Sequence, residues 1–528
     1  MESPQTISAS ATSYLTLANG FWLIIGWGLA SFLYQIVYYR FFHPLKNYPG
    51  PFWGTVTRLW YTYQSYNQSE LVVYENLFKE TKAPVIRISP TTLLVKSALA
   101  LPIIYHRNAV KSRFYSNGGF PAEPVISIRD HQAHSYRRRL IGPPYSYSKI
   151  IKAEPLVDKI VSAWLTKMNE LFVETRRPVN MASWATYFAF DTISEVGFGQ
   201  ALGFVENGED VGGLIQGVHD GIEIFGVMAH LYPFVEWVTS GPLGRFFTAT
   251  PDMKNGMGQL MRWRDKIINA RITEIEEGKR RDRVDILQSF LEARTPEGTP
   301  MSRDELEAEV LVVLIAGADT TGTTFSSIVT DILSSSGDHQ RMVAEIDAGF
   351  AAGNLSHPIP TAAEVSKHCP FYVACIKEAL RLTPSSPVLF PREVMAHQPP
   401  LVIDGKVIPV GTEISCSSYF ANRDKEIYGE DAERFRPERW LEDEERAKLF
   451  EKYNFTWGYG SRVCLGKDLA YMELMKGPLM FFRNFDFKLC KPSKETPGPP
   501  KRVTVGGLFH WQNIWLDLQK RKVWDVSE

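Results

Sequence analysis

The stretch WGYGSRVCLG, Trp457 to Gly466, is the most informative in the chain. Glycines at 458, 460 and 466 give a backbone that can approach a flat ligand closely. A single cysteine, Cys464, stands where the loop gives way to the helical pattern DLAYMELMKGPLMFF, Asp468 to Phe482. A thiolate at a helix amino terminus is favoured by the macrodipole and by free N–H groups, which suits a metal ligand. Two other readings exist. The pair Gly466–Lys467 looks like half of a phosphate-binding loop, but Ser461 stands where the first glycine is required and Asp468 where Ser or Thr should meet magnesium, so no nucleotide site is expected. A lone buried cysteine can also be an inert small hydrophobe, and the loop alone leaves that reading open.

Working outward, MSRDELEAEVLVVLIAGADTTGTTF begins at Met301. Ser302 and Glu305 form a capping box, and Leu306, Val310, Val313 and Gly317 follow at helical spacing, so a long helix is predicted from near Arg303 past Thr324. Gly317 and Gly322 inside it each cost about 1 kcal/mol relative to alanine, which calls for a reason. A kink with locally satisfied polar groups is one. KEALRL, Lys377 to Leu382, puts Glu378 and Arg381 at i and i+3 on one helix face, a spacing most often seen in solvated surface pairs. AERFRPERW, Ala432 to Trp440, follows, and HQAHSYRRRL, His131 to Leu140, precedes them all.

Together these segments resemble the cytochrome P-450 family, from the proline-rich stretch near residue 43 to the carboxyl end. The family's haem loop has the pattern Phe-x-x-Gly-x-Arg-x-Cys-x-Gly, matched at Gly460, Arg462, Cys464 and Gly466, with Trp457 replacing the phenylalanine. The resemblance implies haem b with Cys464 as the axial thiolate. AGADTT, Ala316 to Thr321, resembles the oxygen-binding segment of the helix above the haem. It implies that Thr320 bonds the bound oxygen and Asp319 gates protons toward it. Glu378, Arg381 and Arg439 are implied to form one buried structural triad. Arg392 in FPREV and Arg138 are implied to contact the haem propionates, with His134 in the place of the family's usual tryptophan. The four segments occur in the family's order. The fold implied is mainly α with small β-sheets, the cytochrome P-450 fold, preceded by a single transmembrane helix.

Residues 14–39 carry no formal charge and exceed the roughly 20 residues an apolar helix needs to cross a bilayer. Arg40 and Lys46 follow this run while only Glu2 precedes it, so the positive-inside rule places the rest of the chain on the cytosolic side. A cleaved signal peptide is the rival, disfavoured by the missing basic n-region and the length of the run. The expected organisation is an anchor over 1–42, a stiff proline-rich linker over 43–53 and a catalytic domain over 54–528, in the endoplasmic reticulum membrane. Short β-runs are expected within Ala83–Ser97, around Ile408–Thr412 and near Val503–Leu508, with a helical middle to about Ser336. No internal repeat is visible.

With 58 basic and 59 acidic residues among 528, net charge offers no pull toward nucleic acid. Five scattered cysteines form no disulfide framework and no CxxC pair, which fits a reducing compartment.

What the resemblance implies is a monooxygenase using dioxygen, two electrons and two protons. No convincing G-x-G-x-x-G follows a strand, so electrons are expected from a separate NADPH-cytochrome P-450 reductase, with cytochrome b5 as a further donor. A haem-thiolate isomerase or dehydratase is the alternative enzyme, and a non-catalytic haem carrier the alternative of another class. Asp319 and Thr320 favour the monooxygenase, because chemistry without bound oxygen has little need of them. By position, substrate-facing segments are Arg113–Ile128, Phe204–Val235, Val310–Ala316, Val388–Phe390 and Gly506–Phe509. Their aliphatic and aromatic content implies a lipophilic substrate. HPLKNYPGP and KSRFY resemble filamentous-fungal members, many of which tailor terpenoids, polyketides or alkaloids.

Overall fold

The computed structural model describes residues 4–116, 122–241, 244, 249–254, 256–279 and 285–522, with 4–18 and Ser336 described as backbone alone. The part of Arg113–Ile128 at 117–121 lies outside them.

An amino-terminal helix, α1 (Pro4–Val37), continues as a wider turn to Phe42. It begins before the apolar run, and Asn19–Phe42 is long and apolar enough to cross a membrane while burying none of its most apolar window. The stretch expected to be a linker is instead docked. Leu45 is fully buried, and Arg87 donates its backbone N–H to Pro49 O at 2.7 Å and a side-chain N–H to Tyr39 O at 3.0 Å. Proline carbonyls remain acceptors although proline lacks the donor, so the segment can edge a sheet.

That sheet has five short strands in the order β1-β2-β8-β5-β3: β1 (Val85–Arg87), β2 (Thr92–Val95), β3 (Val110–Lys111), β5 (Arg392–Glu393) and β8 (Glu413–Cys416). Strand β2 runs parallel to β8 and the remaining pairs are antiparallel. A three-stranded sheet orders β4 (Val179–Asn180), β12 (Trp515–Lys520) and β9 (Phe485–Leu489). Two hairpins complete the strands: β6 (Val402–Ile403) with β7 (Lys406–Val407), and β10 (Lys501–Val505) with β11 (Leu508–Gln512).

Seven further helices position the site: α2 (His131–Ile141), α3 (Tyr147–Met168), α4 (Met181–Phe198), α5 (Leu214–His230), α6 (Arg303–Leu333), α7 (Pro370–Leu382) and α8 (Lys467–Asn484). Helical structure continues beyond Ser336 through Ser336–Ala351 to α7, further than the sequence suggests. The capping box of α6 is formed: Ser302 Oγ accepts from the Glu305 N–H at 3.3 Å, and the Glu305 carboxylate accepts from the Ser302 N–H at 2.9 Å. Although α6 is apolar enough for a membrane, 72% of its most apolar window is buried, so it is the core helix.

The aromatic centre of the core joins four helices. The Trp164 ring of α3 lies 5.6 Å from Phe325 of α6 and 5.9 Å from Phe481 of α8, and its indole N–H donates to Trp184 O of α4 at 2.9 Å. The two glycines of α6 have a packing reason. A Cβ on Gly317 would lie 2.6 Å from Ile193 Cγ1, and one on Gly322 would lie 2.9 Å from Thr186 Cα. Both let α6 cross α4 at close range, so their propensity cost serves helix packing.

Candidate active site

Cys464 precedes α8, and its own backbone N–H donates to Trp457 O at 2.8 Å. The loop geometry depends on one glycine above all: Gly460 has φ +66°, and a Cβ there would sit 2.7 Å from Tyr105 O. A Cβ on Gly466 would lie 4.0 Å from Cys464 Sγ, and the backbone N–H groups of Gly466 and Lys467 both point at that sulfur. Trp457 packs on Tyr471 with centroids 5.2 Å apart.

The Cys464 side chain is solvent-accessible. Surrounding protein nevertheless pushes its thiol pKa up, against the two N–H groups and the nearby charges of Arg138 and Lys467. Both observations hold together when a side chain opens onto an interior space. Ala316, in the middle of α6, is likewise exposed between the half-buried Ile315 and Gly317. The inert-cysteine reading fits Cys369, Cys375 and Cys416, which are buried, and not Cys464.

Beside this sulfur lies a basic cluster. Lys111 and Arg392 are direct cross-strand partners in β3 and β5, an arrangement of like charges that is destabilising by itself. Burial and the charges of Arg392, Arg462 and Arg138 drive the Lys111 pKa well below its usual value. Burial, then the Arg392 charge, holds Arg462 down at about 10. Burial first, and then Arg462, Lys111 and Arg138, lowers His134 to about 3. Arg462 donates to the carbonyls of Ile128 and Arg129, each at 2.7 Å, and its Nε is buried without a partner. Arg392 bonds the Phe390 and Pro391 carbonyls, and Lys111 bonds Ile126 O. Among the described residues no carboxylate forms a salt bridge with Arg138, Arg392, Arg462 or Lys111. Such a cluster suits a dianionic ligand, so these residues fit the two propionates of a haem.

Four of the sequence-derived candidates meet here: Arg138, His134, Arg392 and Arg462. His134 is buried with an unpartnered Nδ1, unlike the solvated histidine its arginine-rich helix suggests. Lys111 was missed. Its only sequence signal is the KSRFY stretch, and its position opposite Arg392 depends on strand pairing. Arg137, next to Arg138, faces elsewhere and pairs with Glu305 and Glu309.

Burial pushes Glu309 up to about 7, although the Val125 N–H at 2.8 Å and Arg137 Nη1 at 3.2 Å both donate to it. Between about 4.5, its ordinary value, and about 7 the folded chain holds a proton that the unfolded chain releases, so stability falls as pH rises through that window. Glu309→Gln is expected to remove this slope, flattening the unfolding free energy across the window by about 3 kcal/mol. Denaturant unfolding on either side of the window measures it.

On α6, Thr320 Oγ1 donates to Ala316 O at 2.8 Å, and Ser385 Oγ donates to Thr320 O at 2.8 Å. Asp319 is buried, and its Oδ1 lies 3.0 Å from His219 Nε2 of α5. Neither Ser385 nor His219 was visible as a partner from local sequence.

Glu378, Arg381 and Arg439 are brought together with fully buried side chains. Glu378 Oε1 accepts from Arg381 Nη2 at 2.8 Å and from Arg439 Nε at 2.9 Å. Glu378 also accepts from the Arg436 N–H at 2.9 Å and the Trp440 indole at 3.0 Å. Arg381 donates to the carbonyls of Asn422 and Ala432, and Arg439 to that of Tyr428. The surface-pair reading does not describe them.

The family model described as cytochrome P-450 matches residues 79–509. The chain belongs to the cytochrome P-450 family. It is 38% identical to the quiannulatic acid synthase of Emericella variicolor, over 94% of each chain. It is 30% identical to the cytochrome P-450 monooxygenase gsfF of Penicillium aethiopicum, over 94% of this chain and all of the relative. To the cytochrome P-450 monooxygenase cicH of Emericella nidulans it is 29% identical, over 93% and 95%. This cytochrome P-450 is accordingly a haem-dependent monooxygenase, an oxidoreductase whose family binds haem through a cysteine thiolate and draws electrons from a reductase.

Four of the five segments expected to face substrate meet around a small cleft of about 20 Å³ in this cytochrome P-450, which Val310–Ala316 does not line. Phe114, Gly226, Val388, Leu389 and Gly506 line it, and Glu70 and His230 add a polar end.

Proposed function

We propose that the chain is a membrane-anchored monooxygenase of fungal secondary metabolism that hydroxylates a lipophilic terpenoid, polyketide or alkaloid, with Cys464 as the axial thiolate. One observation carries the reading: an accessible but desolvated cysteine sulfur beside a basic cluster with no carboxylate salt-bridge partner among the described residues. Haem bound there supplies the iron at which dioxygen is activated, and thiolate donation favours cleavage of the O–O bond.

The chain's own residues bind, orient and carry protons. Gly466 and Lys467 turn their N–H groups to the sulfur and favour its thiolate form against burial. Arg138, Arg392, Arg462 and Lys111 receive the propionates, which relieves the repulsion among them, and His134 stays neutral beside them. Thr320 presents its hydroxyl from α6, and Asp319, tethered by His219, is the neighbouring proton carrier. Glu378, Arg381 and Arg439 act structurally, fixing α7 to the segment that supports the cysteine loop.

Domain roles follow the sequence: 1–42 anchors, 43–53 joins and 54–528 catalyses. Exposed Trp22, Leu23 and Ile24 on α1 support lipid around them, and Arg40 and Lys46 after the apolar run support a catalytic domain on the cytosolic face of the endoplasmic reticulum. NADPH-cytochrome P-450 reductase and cytochrome b5 dock from that side. Fungal relatives over nearly the full length support the metabolic setting. The apolar walls of the cleft support a lipophilic substrate.

Co-expression with a reductase tests this reading: NADPH- and oxygen-dependent conversion of a lipophilic candidate, preceded by a substrate-induced spin-state change, is expected. Product formed without oxygen would sink it in favour of an isomerase. Arg138→Leu and Arg392→Leu are each expected to weaken haem retention by about 10–100-fold, the equivalent of one charge-assisted hydrogen bond. Haem transfer to a scavenging apoprotein reads that loss.

A further inference from the structure

The cluster around Asp319 contains more than a proton carrier needs. Three elements distant in sequence each bring one potential metal ligand: His219 from α5, Asp319 from α6 and His510 from β11. Their donor atoms all lie within 4.8 Å of one another. His219 Nε2 is 3.0 Å from Asp319 Oδ1, and the two imidazole rings meet edge to face with centroids 4.4 Å apart. Asp319 and His510 are each more than nine-tenths buried, and Asp319 Oδ2 and His510 Nε2 have no hydrogen-bond partner among the described residues. A buried carboxylate oxygen and a buried imidazole nitrogen left unsatisfied beside each other are costly unless something binds them both.

The three elements are held in place independently of any ion. Thr323 Oγ1 of α6 donates to Phe509 O at 2.8 Å, next to His510. A Cβ on Gly226 of α5 would lie 2.7 Å from Gly506 Cα at the tip of the same hairpin, so helix and hairpin touch backbone to backbone. The donors are thus carried by a rigid scaffold.

We propose that His219, Asp319 and His510 form a metal site, with ligands other than Cys464, that takes one zinc-class divalent ion. Two imidazoles and one carboxylate are the donor set of zinc and neighbouring borderline ions. Calcium and magnesium require a shell of oxygens. His219 keeps about a quarter of its side chain accessible, which leaves an entry path and a position for a water as fourth ligand. Coordination needs small inward shifts, because ligands about 2.0–2.2 Å from zinc stand closer to one another than 4.8 Å. An ion here ties α5, one wall of the cleft, to α6, and occupies the carboxylate of Asp319. Zinc is therefore an inhibitor of the monooxygenase, and its binding does not depend on which substrate the enzyme takes.

The test uses the full-length, haem-loaded protein in detergent, freed of metal with a chelator and dialysed against zinc. One zinc per chain is expected, unaffected by Cys490→Ser, which removes a partly exposed thiol. His219→Gln and His510→Gln are each expected to weaken binding by at least about 100-fold, the upper end of what losing even an outer partner costs. X-ray absorption at the zinc edge of the parent is expected to show two imidazoles and oxygen. That measurement stands even where a variant fails to fold. No stoichiometric zinc, unchanged binding in both histidine variants, or a shell containing sulfur or lacking imidazole overturns the proposal. Binding is read directly, so a failed activity assay counts against the proposed function and leaves this one to its own result.

Discussion

Cys464→Ser is expected to abolish product formation and to remove the thiolate-type Soret band of the reduced, carbon-monoxide-treated protein. A serine oxygen at this position is a poorer and harder donor to iron than a thiolate, and it withdraws the electron donation that favours O–O cleavage. Loss of an outer-shell partner alone costs 10–100-fold at metal sites, so loss of the ligand itself is expected to exceed about 100-fold in turnover. The backbone around position 464 does not depend on the sulfur: the loop is fixed by Gly460 against Tyr105 and by the Cys464 N–H on Trp457 O. The variant is therefore expected to fold with near-native circular dichroism. A Cys464→Ser enzyme with the turnover of its parent would contradict the whole account of the site. Cys369→Ser is the contrasting case, since that thiol is buried in the main core and its pKa is raised to about 12 chiefly by burial. It is expected to leave the spectrum unchanged.

Glu378→Gln has the second largest expected effect, and it acts on the fold. The carboxylate is fully buried between Arg381 and Arg439, and removing its charge leaves Arg381 without a counter-ion among the described residues and Arg439 with Asp431 alone, at 3.2 Å. Breaking a buried ion pair from one side costs about 3–5 kcal/mol, against a total stability of about 5–15 kcal/mol for a typical domain. Burial raises the pKa of Glu378, but the two arginines and the Arg436 N–H outweigh it and hold the group below its usual value. This part of the stability is therefore present above the ordinary carboxylate pKa and is lost as pH falls through the depressed one. Yield of folded haem protein and thermal unfolding both read the loss. Breaking the exposed Lys448 pair with Glu444 is expected to leave the melting temperature unchanged, although the distance, 2.9 Å, is similar.

The same contrast shows which features can be read without a structure. Glu378 and Arg381 are one helical turn apart, so their pairing is written locally, but whether the pair is buried is not. Only the packing of Arg439 and Trp440 onto α7 places it inside. The glycines of α6 show the reverse: their cost is legible, while the reason lies in Ile193 and Thr186 of another helix.

By itself the sequence determined the cysteine loop, the capped start and length of α6, the apolar amino-terminal helix and the short β-runs, because each rests on interactions within a few turns or a few residues of chain. Tertiary structure alone decided that Lys111 faces Arg392, that His219 and His510 converge on Asp319, that His134 is buried, and that Leu45 seats the presumed linker against the core. Those relations join residues far apart in the chain. They arise from strand register and helix crossing, where charge and burial are set by neighbours that no local pattern names.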